Sequence, residues 1–404
     1  MTYDVAIVGA GVAGCTAAIL YGRAGLRVLL IDKHRDIATH KALCGHFVLG
    51  GTQPMLRRTG LWEAMVDAGA AVGDIARWTE TDGWFVPGPG LPECISLRRE
   101  KLDPLLRTLA AGTPGVELAL GRKVTGLMES GERVTGVRVG DEEIPARLVV
   151  AADGHRSPVA QLAGVAEDTA PNERFGLWAY YRGVVPRGPD SNQIWALDPD
   201  VGILIRTDHD LHMLVAFPAK ARLADFQPDR GAALERFIAS LPDGPDLSSA
   251  ERVSKVIGTN DYPCVRRDPT PRPGLVLVGD AAITGDPTPA VGCGWAFRAA
   301  EWLVESTAPA LLDGADLAAA AAAYREALDF IVAHDRLGRQ DAMARPANPV
   351  QRLVTRAAHR DPDLGRRLYL FSMRALPTTE LINPRVLFRA LWAAGRGRKA
   401  TTGR

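Results

Sequence analysis

The sequence predicts an α/β protein in which a Rossmann-type domain is interleaved with a β-sheet domain and followed by a helical C-terminal region. Three observations predict it. Residues 3–8 form a short β-rich apolar run, 12–23 a helix-forming stretch and 27–31 a second apolar run, a strand, helix and strand in quick succession. Four further β-rich runs follow one another between 175 and 217. From 296 onward the chain reads mainly as helix.

The first unit carries a chemical signal. Gly9-Ala10-Gly11-Val12-Ala13-Gly14 joins its first strand directly to its helix, the setting in which this glycine spacing marks a dinucleotide-binding turn. Gly9 permits the tight turn, Gly11 lets a pyrophosphate approach the backbone, and Gly14 lets helix and strand pack closely. The phosphates then sit at the positive end of the helix dipole. Asp32 ends the second strand, 23 residues after Gly9, where a carboxylate accepts the hydroxyls of an adenosine ribose and repels a 2′-phosphate. By itself this unit serves FAD and NAD equally.

Apolar residues recur at helical spacing over 56–72 and 102–111, and 116–119, 123–130, 133–139 and 147–151 read as strands, with a hairpin at Gly131-Glu132. The runs 177–185, 193–197, 202–207 and 211–217 read as a meander that walls a cavity. Trp178, Tyr180, Trp195 and Phe217 lie on it and are the candidate substrate-lining residues, which implies an apolar or aromatic ligand. A strand at 275–278 ends in Gly279-Asp280, and helices are expected over 296–312, 317–332, 350–359 and 384–394. The expected domains are 1–75 with 95–170 and 262–312, then 76–94 with 171–261, then the helical region 313–404.

The 404 residues carry 48 basic and 47 acidic side chains, a net charge of +1, so no global field favours a nucleic-acid partner. The one basic cluster, Arg396, Arg398, Lys399 and Arg404, reads as a solvated end. No stretch reads as a membrane span, and the apolar N-terminus lacks the basic flank of a signal peptide. The five cysteines show no metal-ligand spacing, so no metal site is expected, and a reducing cytoplasm is the expected compartment.

Two later segments point further. Val149-Val150-Ala151-Ala152-Asp153-Gly154-His155-Arg156-Ser157-Pro158-Val159 resembles the Asp-Gly motif of FAD-dependent aromatic hydroxylases. Val276-Leu277-Val278-Gly279-Asp280-Ala281-Ala282, followed by Asp286-Pro287 and Gly292, resembles their Gly-Asp motif. With the N-terminal loop, these motifs keep the family's order over about three quarters of the chain, which is identified by them as similar to the para-hydroxybenzoate-hydroxylase-like flavoproteins. The resemblance implies FAD as cofactor, NADH or NADPH as transient reductant and molecular oxygen as co-substrate. It further implies that Asp280, with Gly279, holds the ribityl chain, that Asp153 and Pro287 belong to the cofactor site, and that Arg99, or else Arg98, reaches the phosphates. The helix from Gly292 would point its N-terminus at the pyrimidine edge of the flavin. Three positions depart from the family pattern: Ile283 replaces a histidine, Ala290 a glycine and Ala160 an arginine.

His40-Lys41-Ala42-Leu43-Cys44-Gly45 and Asp286-Pro287 resemble the geranylgeranyl-reductase and flavin-halogenase branches, which makes Lys41 a candidate cofactor contact. The halogenase tryptophan signature is absent, and no lysine occurs between Lys41 and Lys101. His46 is the candidate proton donor facing the flavin. Cys44 and Cys293 read as space-filling thiols, with a place near the flavin as the alternative. The expected function is an FAD-dependent monooxygenase, hydroxylase or epoxidase, of a small apolar or aromatic molecule in bacterial secondary metabolism. The alternatives are a flavin-dependent reductase of prenyl-like double bonds and an FAD-containing enzyme of non-redox rearrangement.

Overall fold

Tyr3–Val8 is buried and apolar along most of its length, a pattern that places a strand inside a parallel sheet with both faces covered. Val28–Asp32 pairs with it on one side and Glu142–Ala151 on the other, both in parallel register. Val116–Leu120 and Leu275–Leu277 extend the sheet on either side, again in parallel. The first half of Glu142–Ala151 instead pairs antiparallel with Arg133–Val139, which folds back onto Gly126–Ser130. The turn between them uses Gly131 at φ 60°. Helix Val12–Arg23 packs against Arg99–Ala111 and Gly292–Asp313. The computed structural model describes residues 2–227 and 229–396, so Arg398, Lys399 and Arg404 of the basic cluster lie outside the described residues.

A second sheet supplies the opposite wall. Gly176–Arg182, His212–Phe217, Val201–Arg206 and Asn192–Ala196 lie side by side in that order, all antiparallel. The first β-rich run is thus beside the fourth, which corrects the expected meander. The connection over 183–191, with Gly183, Pro186, Gly188 and Pro189, is too long for a tight hairpin and lets the chain cross the sheet. Ile75–Thr79 then pairs in parallel with the outer edge of Asn192–Ala196. Side chains alternate along this sheet as the strand period requires. Leu177, Tyr181, Trp195, Leu204 and Leu214 pack one way, into a core shared with helix Arg230–Ala239. Trp178, Ile203, Ile205, Met213 and Phe217 pack the other way, into the core of the parallel sheet.

Two helical stretches are broken by the backbone. The run 56–72 divides into Gln53–Arg58 and Leu61–Asp67 around Gly60 at φ 68°, and 71–73 becomes a strand. The run 317–332 divides into Leu317–Ala327 and Asp329–Asp341. Pro349–Ala358, Pro362–Ser372 and Pro384–Arg396 share a small core of their own around Val354, Leu364 and Ala390. The C-terminal region is tied to the sheets by Tyr324, whose hydroxyl donates to the Leu277 carbonyl at 2.9 Å, and by Gly51, whose N–H donates to the Met373 carbonyl at 2.9 Å. The whole is the α/β fold the sequence predicts, with a helical C-terminal region. Among the described residues no helix is long and apolar enough to cross a membrane.

Candidate functional site

The glycine loop separates three tasks. A Cβ on Gly9, at φ 107°, would lie 2.4 Å from the Ala152 carbonyl oxygen, and one on Gly14 would lie 1.8 Å from that of Gly9. Packing within the protein therefore demands both. Gly11 is extended at φ −88°, and a Cβ there would meet no atom within 4 Å. Neither backbone nor packing requires glycine at that position, whereas a ligand lying against the loop does. Helix Val12–Arg23 starts without a side-chain cap, so its first N–H groups remain available to an anion. Gly292 repeats the pattern: it opens helix Gly292–Asp313, which lacks a side-chain cap, and a Cβ on it would also meet nothing within 4 Å.

Asp32 braces this loop. Its carboxylate accepts the N–H of Ala10 at 2.7 Å and of His34 at 2.8 Å, which leaves lone pairs for ribose hydroxyls. Arg107 clamps the loop from the other side. Its Nε donates to the Ala10 carbonyl at 3.0 Å, and its Nη1 to the carbonyls of Ile37, at 2.8 Å, and Thr39. Sequence reasoning missed Arg107. The available signal is the recurrence of Arg99, Asp103 and Arg107 every fourth residue on one face of a helix whose buried stripe also holds Leu102, Leu106 and Ala110.

Lys41 and Asp280, 239 positions apart, meet at 2.7 Å. Burial opposes ionisation of Asp280, but Lys41, Arg99 and His155 outweigh it and hold the carboxyl below its ordinary range. The carboxylate in turn pushes Lys41 up. Gly279, at φ 62°, brings this turn so close to the first helix that a Cβ would sit 2.9 Å from that of Ala13. Arg99 forms a bidentate pair with Asp103 at 2.7 and 3.0 Å, and Asp103 also accepts the Lys41 N–H at 3.0 Å. Arg98 turns away to Asp208, at 3.0 and 2.9 Å.

Two motif residues act locally. Asp153 accepts the Ser157 hydroxyl at 2.6 Å and the Val159 N–H at 2.8 Å. It thereby fixes the strand end against which Gly9 packs. Pro287 follows Asp286, whose buried carboxylate accepts from Asn172 at 3.1 Å and from the Thr288 N–H and hydroxyl at 3.1 and 2.9 Å. Those bonds set the loop ahead of helix Gly292–Asp313. Within that loop Ala290 stands at φ 54°, a left-handed conformation that glycine adopts without strain and that accounts for the family's glycine there.

His46 is 1% exposed and sits at φ 45°. Its Nδ1 is 3.1 Å from the Tyr180 hydroxyl and its Nε2 3.3 Å from that of Thr207. Burial pushes its pKa down to about 3, so the ring is neutral near pH 7. The ring bridges the Tyr180 and Thr207 hydroxyls, and in its neutral form it carries one N–H. Trp178, Tyr180 and Phe217 do face the parallel sheet, and the buried indole N–H of Trp178 has no acceptor among the described residues. Trp195 is a further correction. It points to the opposite face, where its N–H donates to the Pro242 carbonyl at 2.7 Å and its ring meets Trp84 edge-on. The register decides this: Trp178 lines up through Val215 and Ile203 with Ile194, so Trp195, the next residue along that strand, points to the other face. A small apolar cavity of about 20 Å³, room for about one water, lies among Phe47, Leu49, Ile75, Ile194, Ile203 and Ile205, with Thr288, Pro289 and Ala290 at its flavin-motif end.

The family described as FAD binding domain matches residues 2–250. The chain belongs to this FAD-binding family. Its glycine loop, uncapped helix and Asp32 carboxylate fit that cofactor, and the protein is an FAD-dependent oxidoreductase. It is similar to 6-methylpretetramide 4-monooxygenase of Streptomyces rimosus, 29% identical over 321 residues, 73% of this chain and 72% of that protein. Digeranylgeranylglycerophospholipid reductase of Thermoplasma volcanium is 27% identical over 306 residues, 71% of this chain and 73% of its own. The structure of the flavin-dependent brominase Bmp2 shares the fold with a TM-score of 0.79 at 20% identity, covering 98% of this chain and 100% of that one.

Proposed function

We propose that this flavoenzyme is a monooxygenase, a hydroxylase or epoxidase, of a small apolar or aromatic molecule in secondary metabolism, with NADH or NADPH as transient reductant. The observation that carries this reading is the apolar face formed by Ile75, Ile194, Ile203 and Ile205, which meets the Thr288–Pro289–Ala290 loop leading into the uncapped helix at Gly292. The similarity to the Streptomyces monooxygenase supports it. Bound FAD supplies the redox chemistry, taking up electrons and activating dioxygen.

The chain's own residues bind and orient. Gly11 and the first helix hold the pyrophosphate, with Arg99 as its cation; Asp32 holds the adenosine ribose, and Asp280, charged beside Lys41, the ribityl hydroxyls. The N-terminus at Gly292 favours negative charge on the pyrimidine edge. The isoleucines orient an apolar substrate and exclude water, while neutral His46 fixes Tyr180 and Thr207. The test is oxidation of NADH or NADPH by purified protein, with and without oxygen, across polyketide, aromatic and isoprenoid compounds. Substrate-stimulated consumption that stops without oxygen, with label from 18O2 in the product, is expected. Oxygen-independent saturation of an isoprenoid overturns it in favour of the reductase reading, which the Thermoplasma relative supports.

A further inference from the structure

The site holds two thiols for which the proposed reaction has no use. Cys44 and Cys293, 249 positions apart, bring their sulfurs to 3.7 Å from each other. Cys44 lies three residues beyond Lys41, whose ammonium holds Asp280. Cys293 is the second residue of the uncapped helix Gly292–Asp313. The pair therefore stands where the two flavin motifs converge.

The surroundings favour reactive sulfur. The His46 N–H donates to Cys44 Sγ at 3.3 Å. The Cys293 thiol, by donating to it, holds Cys44 well below the ordinary thiol range, with Arg99 and Lys41 adding positive charge. Cys293 itself is pushed up, as expected of two groups that share one proton. The other three cysteines differ. Burial pushes Cys15, Cys94 and Cys264 up, and none has a second thiol as its bonding partner.

We propose that Cys44 and Cys293 form a reversible disulfide that exchanges two electrons with the bound flavin. On oxidation the Cys293 S–H bond breaks and one S–S bond forms to the Cys44 thiolate. Two electrons pass to FAD, and the thiol proton accompanies them onto the reduced flavin; reduction reverses each transfer. The sulfurs must close from 3.7 Å to about 2.05 Å. The inference rests on the FAD site and not on the identity of the substrate.

The experiment is an anaerobic dithionite titration of air-exposed holoprotein, read by flavin absorbance, with parallel alkylation under denaturing conditions and peptide mass spectrometry. The wild type should take up about four electrons per FAD, two for each couple, and yield a linked peptide pair containing Cys44 and Cys293. Cys293→Ser and Cys44→Ser should each take up about two, whereas the control Cys264→Ser should keep about four. Alkylation of both thiols in air-exposed wild type, or a flavin fully reduced by about two electrons, overturns the exchange. Alkylation of the wild type needs no variant to fold. Flavin content is read first from the spectrum, so failure of the FAD site and failure of the thiol exchange leave different records.

Discussion

Asp280 keeps a charge that burial opposes because Lys41 lies 2.7 Å away, with side chains 22% and 35% exposed respectively. Asp280→Asn removes both the charge offered to the ribityl chain and the partner of the ammonium. A charged hydrogen bond contributes about 1.5–3 kcal/mol, so FAD affinity should fall roughly ten- to a hundred-fold. The apo-protein should also melt lower, since Lys41 is left half-buried without its carboxylate. Flavin titration and paired melts check both outcomes; unchanged affinity would leave Asp280 a purely structural residue. The Asp280 carboxyl is depressed in the fold, so its stabilisation is complete above the ordinary carboxylate value and is lost as pH falls through the lower folded value. His46 carries the same proton balance in a higher pH window. Its folded pKa of about 3 lies below the ordinary value near 6.5, so the unfolded chain binds the proton first and stability falls as pH drops from about 6.5 toward 3. His46→Gln should lose less melting temperature between pH 7 and pH 5 than the wild type, and a parallel decline in both proteins would place the titration elsewhere.

The glycine loop offers a contrast within one element. Gly14→Ala forces a Cβ to 1.8 Å from the Gly9 carbonyl, a backbone clash that no rotamer relieves, so the strand and helix cannot keep their packing. A Cβ at Gly11 meets no protein atom within 4 Å and stands at an extended backbone that any residue adopts. Gly11→Val should therefore fold with a melting temperature near that of wild-type apo-protein and bind no FAD, whereas Gly14→Ala should fail to fold or melt far below it. Circular dichroism and flavin titration separate the two; a Gly11→Val protein that retains FAD would place the phosphates elsewhere. Such local elements were legible in the sequence. Tyr3–Val8, Val12–Arg23 and Arg133–Val139 fall at their expected bounds, because apolar period and turn glycines act over neighbouring residues. The order of strands in the second sheet was not legible, since the loop over 183–191 permits several crossings.

Across the whole molecule the site is assembled from distant parts of the chain. Lys41 meets Asp280, Cys44 meets Cys293, and Arg107 meets Ala10. Lys41, Asp280, Cys44 and Cys293 were each singled out in the sequence but not as pairs, and Arg107 was not singled out, because nothing local reports which strand ends converge. Strand Leu275–Leu277 makes the convergence by joining the sheet that Tyr3–Val8 begins. A ligand touching all of these parts binds the folded chain and not the unfolded one, so it should stabilise the fold as a unit. At FAD concentrations about a hundred-fold above Kd the gain is about 2.7 kcal/mol, or roughly 3 °C for a chain of 404 residues. FMN lacks the adenosine that Asp32 is placed to receive, and NAD lacks the ribityl chain for Asp280, so neither should reproduce the shift at the same concentration. Melting of apo-protein with each nucleotide is the measurement, together with mass spectrometry of the cofactor released from freshly purified protein. An equal shift with FMN would remove the adenosine end from the binding site, and with it the role assigned to Asp32.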